Sequence, residues 1–243
     1  MAQSIILIIA GIVPSLLWLL FFLNKDCHPE PKKRIAQTFF LAIALAPIAI
    51  LAQWLFVYAT SRYAPGTNIA ASPLFFGWAA LVEELVKLMA VTYVVYRTAD
   101  FDEPVDGMVY MITAGLGFAA IENMLVLFRN IPDGVQVTLQ ILVLRTFGAT
   151  LLHALSSALL GYFVALAWFL FQHSRKILWM GIAMASMFHF LFNILLVNLS
   201  PRNGLLFSSI TLAVMVFFIS ILFAKVRDRS NSKLSTQSDL APA

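Results

Sequence analysis

Apolar residues in this chain come in long runs, with neither the alternation of a half-buried strand nor the one-sided stripe of a soluble helix. About 20 apolar residues in a helix span the ~30 Å hydrocarbon layer of a bilayer. Seven stretches reach that length: residues 4–23, 35–60, 73–97, 107–128, 147–171, 177–198 and 205–224. The second and third are long enough to tilt or to project past the interface. Residues 135–171 form one run too long for a single crossing. Arg145 and Gly148 divide it, which predicts a separate interfacial or re-entrant helix over 135–146. The expected fold is an all-α, polytopic transmembrane bundle with one integral-membrane domain over 1–224. A polar tail over 225–243 follows, expected to be disordered and cytoplasmic.

Composition agrees with the pattern. Of 243 residues, 61 % are hydrophobic and only 12 % charged, about half the ~25 % of a soluble domain. Such a chain cannot cover itself with a polar surface, so its solvent is mostly lipid. This excludes a cytosolic enzyme, a secreted disulfide scaffold and a nucleic-acid-binding domain. The single cysteine, Cys27, can form no internal disulfide. The net charge of +4 reflects topology: Lys25, Lys32, Lys33, Arg34, Arg97, Arg175, Lys176, Lys225, Arg227, Arg229 and Lys233 border alternate loops and the tail. The opposite side holds Arg62, Arg129 and Arg202. The positive-inside rule then puts the N-terminus outside and the C-terminus in the cytoplasm of a multi-pass cell-membrane protein. The first segment lacks a basic n-region and an A-x-A site, so it reads as a retained anchor. The basic loop 24–34 could bind anionic lipid, although the topology bias already accounts for it.

A few ionisable residues lie inside the runs: Glu83, Glu84 and Lys87, then Glu122, Arg145, His153 and His189. A charge at mid-membrane costs roughly 2.5–3.5 kcal/mol, so these groups must pair, bind an ion or line a wet cavity. Counting inward at 1.5 Å per residue puts Glu83, Glu122, His153, His189 and Asn193 between the midplane and the outer third. Four segments carrying polar groups at one depth predict one site, open toward the outer side. Helical spacing agrees, since His189 and Asn193 share a face, as do Glu83 and Lys87, and Lys87 can neutralise one of the two adjacent carboxylates. Gly115 and Gly117 would let the fourth segment pack closely against a neighbour.

Imidazoles and carboxylates in a water-poor cavity suit water activation by a general base. Two His nitrogens with a carboxylate are also the ligands of an open zinc site, here His153, His189 and Glu122. Asn193 can donate to a developing oxyanion. No HExxH, no serine elbow and no deep aspartate pair occurs, which removes site-2, rhomboid and diaspartyl designs. Blander roles stand beside these. Glu83 and Lys87 could form a structural ion pair, Glu122 and Asn123 could bond between helices, and His153 could be a satisfied core residue. Arg145 could snorkel to the interface or pair with a site carboxylate. Asp102, Glu103 and Asp106 suit a helix N-terminus.

Four motifs in order carry a family resemblance. They are Glu83-Glu84-Leu85-Val86-Lys87 (E-E-x-x-K), Gly115 to Asn123, Arg145 followed by His153, and His189-Phe190-Leu191-Phe192-Asn193 (H-x-x-x-N); the acidic loop D-E-P-V-D-G at 102–107 precedes the second. Over residues 73–200 the chain resembles PrsW-type intramembrane proteases, within the wider superfamily of CAAX prenyl endopeptidases and bacteriocin-processing proteins. Glu122 and Lys87 replace residues typical of the CAAX branch, which favours the PrsW branch. The resemblance implies that Glu83 or Glu84 activates water, that His153 and His189 bind metal or polarise the scissile carbonyl, and that Asn193 assists. It further implies a single-span anti-sigma-factor substrate cut on the extracytoplasmic side in envelope-stress signalling, with Zn2+ as the expected cofactor and a metal-free mechanism left open. The alternatives are an ion- or proton-coupled transporter using the same cluster, and a scaffold that has lost activity.

Overall fold

A computed structural model describes residues 2–26, 28–96, 98–171 and 173–238. Cys27 and Arg97 therefore lie outside the described residues. Every extended regular element among the described residues is helical. The helices are α1 (Ala2–Leu23), α2 (Lys32–Ser61), α3 (Pro73–Val94), α4 (Pro104–Asn130), α5 (Val135–Phe147), α6 (Ala149–Ala165), α7 (Arg175–Asn198) and α8 (Pro201–Ser238). Six helical stretches are long and apolar enough to cross a membrane. Helix α3 has the length, 22 residues, but carries the three charges Glu83, Glu84 and Lys87.

The divided run behaves as its sequence suggests. Helix α5 has 13 residues, about 20 Å at 1.5 Å per residue, too short to cross. It ends at Gly148, whose φ of −100° and ψ of −94° leave the helical region. Helix α6 then starts afresh and closes in a π-helical turn, Leu166–Leu170.

The far end differs from expectation. Helix α8 runs on to Ser238, so the polar stretch after residue 224 begins as helix. No glycine or proline interrupts residues 205–241, and a helix once nucleated propagates one bond per residue. Residues 239–243 lie outside the described residues.

Helix α4 is the axis of the bundle, packed by α1, α2, α3, α6 and α8. Its start is fixed by Pro104 in the first turn and by Asp106 Oδ2, which accepts the backbone N–H groups of Glu103 at 2.8 Å and Asp102 at 3.0 Å. Asp102 and Glu103 thus mark this N-terminus and Asp106 caps it. Small residues let α4 approach its neighbours. A Cβ on Gly115 would lie 2.6 Å from the His153 carbonyl of α6, and one on Gly117 would meet the Phe39 carbonyl of α2. Close packing at both glycines is therefore observed, and it sets the separation of α4 from α6 at the level of His153.

Candidate active site

Glu84 is the most heavily bonded carboxylate. Its Oε1 accepts from Lys87 Nζ at 2.6 Å, Ser156 Oγ at 2.9 Å and His189 Nδ1 at 3.0 Å. Glu84 and Lys87 are fully buried, which is tolerable in a low-dielectric interior only because each neutralises the other. The Lys87 ammonium also lies 5.4 Å from the centre of the Phe118 ring. The structural ion pair expected of this helix thus falls on Glu84.

Glu83, one residue earlier, points elsewhere. Its Oε1 accepts from Gln53 Nε2 of α2 at 3.0 Å. Its buried Oε2 has no hydrogen bond and lies 3.5 Å from His189 Nε2. Glu83 reaches a cavity of about 240 Å³ shared with Gln53, Phe118, Glu122 and Arg145.

Helix α4 contributes Glu122 and Asn123. Glu122 Oε2 accepts from Arg145 Nη2 at 2.9 Å and faces His153 Nε2 at 3.0 Å. Asn123 Oδ1 accepts from Arg145 Nε at 2.7 Å, while its amide donates to Thr150 Oγ1 at 3.0 Å. Arg145 therefore pairs with a site carboxylate and does not snorkel. The α5–α6 break places it there, because α5 crosses beside α4 without running on into α6.

These contacts fix how each imidazole is presented. Glu84 is paired with Lys87 and Glu122 with Arg145, and a carboxylate in such a pair accepts hydrogen bonds. The nitrogen facing each carboxylate, Nδ1 of His189 and Nε2 of His153, therefore carries the proton. The opposite nitrogens keep their lone pairs, and His153 Nδ1 has no hydrogen-bond partner. Carboxylate-backed histidines of this kind are the common support for metal ligands. The two rings stand edge to face with centroids 5.0 Å apart.

One ligand atom each from Glu83, His153 and His189 lies within 4.8 Å of the others, and all three residues are buried. The donor set is two nitrogens and one oxygen, with Glu83 Oε2 and His153 Nδ1 unpartnered, so these residues fit a divalent metal. The sequence reading placed Glu122 third in this set. In the structure the carboxylate whose ligand atom lies near both rings is Glu83, while Glu122 Oε2 faces Arg145 and His153.

Glu83, Glu84, Lys87, Glu122, Arg145, His153 and His189 thus converge from five helices. Asn193 stands one turn beyond His189 and is half-buried, and its side chain has no hydrogen bond to a described residue. Sequence reasoning missed Gln53, and it noted Asn123 without giving it these contacts. Gln53 leaves one trace, as the lone side-chain amide within the apolar run 39–59.

Comparison with known proteins gives one answer. A family model described as PrsW family intramembrane metalloprotease matches residues 30–223. The chain is 32 % identical over 193 residues to "Protease PrsW" of Geobacillus kaustophilus (strain HTA426), covering 78 % of this chain and 79 % of that one. It is 30 % identical over 199 residues to the protein of the same name from Bacillus subtilis (strain 168), covering 80 % and 84 %. For the Oceanobacillus iheyensis protein the figures are 29 % over 214 residues, 86 % and 88 %. No solved structure matches significantly. The chain belongs to the PrsW family of intramembrane metalloproteases, and is a multi-pass integral membrane peptidase that acts on protein substrates.

Proposed function

We propose that this chain is an endopeptidase that cuts a single-span membrane protein of the anti-sigma-factor class, with Glu83 as the carboxylate that takes a proton from the attacking water. The observation that carries this reading is the convergence of Glu83, His153 and His189 from three helices, with Glu83 Oε2 and His153 Nδ1 buried and free of hydrogen bonds. Gln53 anchors one oxygen of Glu83 and leaves the other for the reaction. Glu84 and Glu122 orient the two imidazoles from behind and stabilise positive charge on them. Asn193 has its amide free to donate to the developing oxyanion one turn from His189. The cavity beside Glu83 is where water and the scissile bond meet.

Where a metal is bound, Glu83, His153 and His189 would hold it, a donor set that suits Zn2+, and Glu83 then serves as a ligand and no longer as the base. When bound, such an ion supplies a Lewis acid that lowers the pKa of water.

The distribution of basic residues supports an N-terminus outside the cell membrane and a C-terminus in the cytoplasm, with residues 1–224 as the protease domain and 225–243 as an appended tail. In that orientation the site lies in the outer half of the bilayer, and cleavage is extracytoplasmic. The test is cleavage of a single-span anti-sigma factor by the reconstituted protein, with metal content measured on the same samples. Glu83→Gln and His189→Ala should abolish the product and lower bound zinc. Undiminished cutting by both variants would overturn the assignment of the site.

A further inference from the structure

A second cavity, of about 380 Å³, lies between α1, α6 and α8 and contains no residue of the catalytic cluster. Its walls are apolar: Trp18 and Phe22 from α1, Leu155 from α6, Ile219 and Phe223 from α8. Two cations line it as well, Lys25 just beyond α1 and Arg227 on α8. Lys25 follows Phe22 by three residues and Arg227 follows Phe223 by four, so each cation stands about one turn beyond an aromatic wall residue. The ion pairs among the described residues include neither cation; Lys25 Nζ lies 5.2 Å from the centre of the Phe21 ring. Asp26 follows Lys25 but accepts the backbone N–H of His28 at 3.1 Å. Asp228 follows Arg227 on the helix and is exposed, and neighbours in sequence do not face each other there.

The dimensions select the occupant. The lining on α8 runs from Val216 to Arg227, roughly 16 Å of helix rise and close to half of the ~30 Å hydrocarbon layer. The whole empty space there is about 970 Å³, less than the roughly 1,300 Å³ that a helix about 10 Å across fills over that length. The slot admits an extended hydrocarbon chain and is too narrow for a transmembrane helix of a substrate or a second copy. Basic pockets between membrane helices attract anionic lipid headgroups.

We propose that the α1–α6–α8 cavity is a binding site for an anionic phospholipid, with one acyl chain in the slot and the phosphate between Lys25 and Arg227. Leu151 and Leu155, which flank His153 on α6, face this slot, so the lipid buttresses the helix that carries a catalytic imidazole. The proposal does not depend on the peptidase reading.

The test uses the full chain in nanodiscs made of equal parts phosphatidylglycerol and phosphatidylcholine, with retained lipid counted by native mass spectrometry after mild delipidation. The wild-type protein should retain phosphatidylglycerol in preference to phosphatidylcholine. In Lys25→Gln/Arg227→Gln that preference should fall roughly tenfold or more. Lys176→Gln, outside the cavity, should leave it intact. Ser220→Trp, which puts an indole into the slot beside intact cations, should lower retention of both lipids. Equal retention of the two lipids by the wild-type protein, or an unchanged preference in the double variant, overturns the proposal. So does a Ser220→Cys protein that crosslinks quantitatively to a second copy.

Discussion

Replacing Lys87 by methionine isolates the ion pair at the heart of the site. Lys87 Nζ lies 2.6 Å from Glu84 Oε1, and both side chains are at 0 % exposure. At an effective dielectric constant of about 20 that separation corresponds to roughly 6 kcal/mol of attraction, opposed by the desolvation of both ions. Methionine keeps most of the apolar stem and removes the charge. Glu84 is then a buried carboxylate left with Ser156 and His189 as donors. Breaking a buried pair from one side costs about 3–5 kcal/mol, and the two remaining donors put the expected value near the lower end, about 3 kcal/mol. For a protein of this size that is a fall in Tm of about 6–12 °C, measured by thermal unfolding in detergent. Lys87→Met/Glu84→Gln leaves no uncompensated charge and should recover at least half of the loss. It should still be inactive, because the carboxylate that orients His189 is gone. A Lys87→Met protein within about 0.5 kcal/mol of wild type, or a double variant no more stable than the single, would refute the reasoning.

Other outcomes follow from the same geometry. Gly115→Ala would drive a methyl group to 2.6 Å from the His153 carbonyl, so it should separate α4 from α6 and reduce cleavage at least tenfold, roughly 1.4 kcal/mol in the barrier. Gly77→Ala, whose Cβ would meet nothing closer than 3.9 Å, should keep full activity and gain about 0.5–1 kcal/mol of stability. Arg145→Gln should free Glu122 and Asn123 together, lowering kcat by more than Arg145→Lys, which keeps the charge. Burial pushes the Glu30 carboxyl, which accepts from the Tyr110 hydroxyl at 2.6 Å, above its ordinary 4.5. The unfolded carboxyl ionises first, so this residue favours the folded state below about pH 4.5 and penalises it as pH rises through the folded value. Glu30→Gln should therefore gain stability relative to wild type as pH rises above about 4.5 in pH-resolved unfolding.

Much of this architecture was legible because lipid leaves few choices. A run of apolar residues long enough to cross must be helical, and the breaks at Arg145 and Gly148 mark α5 as separate. The same cost argument singled out Glu83, Glu84, Glu122, His153 and His189, since an unpaired charge in hydrocarbon has no bland explanation. What the sequence could not give is pairing across helices. Arg145 lies 23 residues from Glu122 and His189 lies 105 from Glu84, and no periodicity within one helix reports a partner on another. That is why the contacts of Glu122 with Arg145 and His153 were not foreseen and Gln53 was overlooked. A lone amide in an apolar run is inexpensive enough to pass unnoticed, and its 3.0 Å bond to Glu83 appears only once α2 and α3 are side by side. The helical start of the tail was misread for a simpler reason: polarity predicts exposure, and α8 carries its exposed residues without breaking.

The spacing of the pairs bears on how such a chain enters the membrane as it is synthesised. Glu84 and Lys87 are three residues apart on α3, so this helix brings its own counter-ion when it leaves the translocon and is half neutralised before any partner arrives. Glu122 must wait for Arg145 on a later helix, and His189 completes the arrangement only when the seventh helix follows. The cluster of carboxylates and imidazoles is thus complete only after α7 has emerged, late in synthesis.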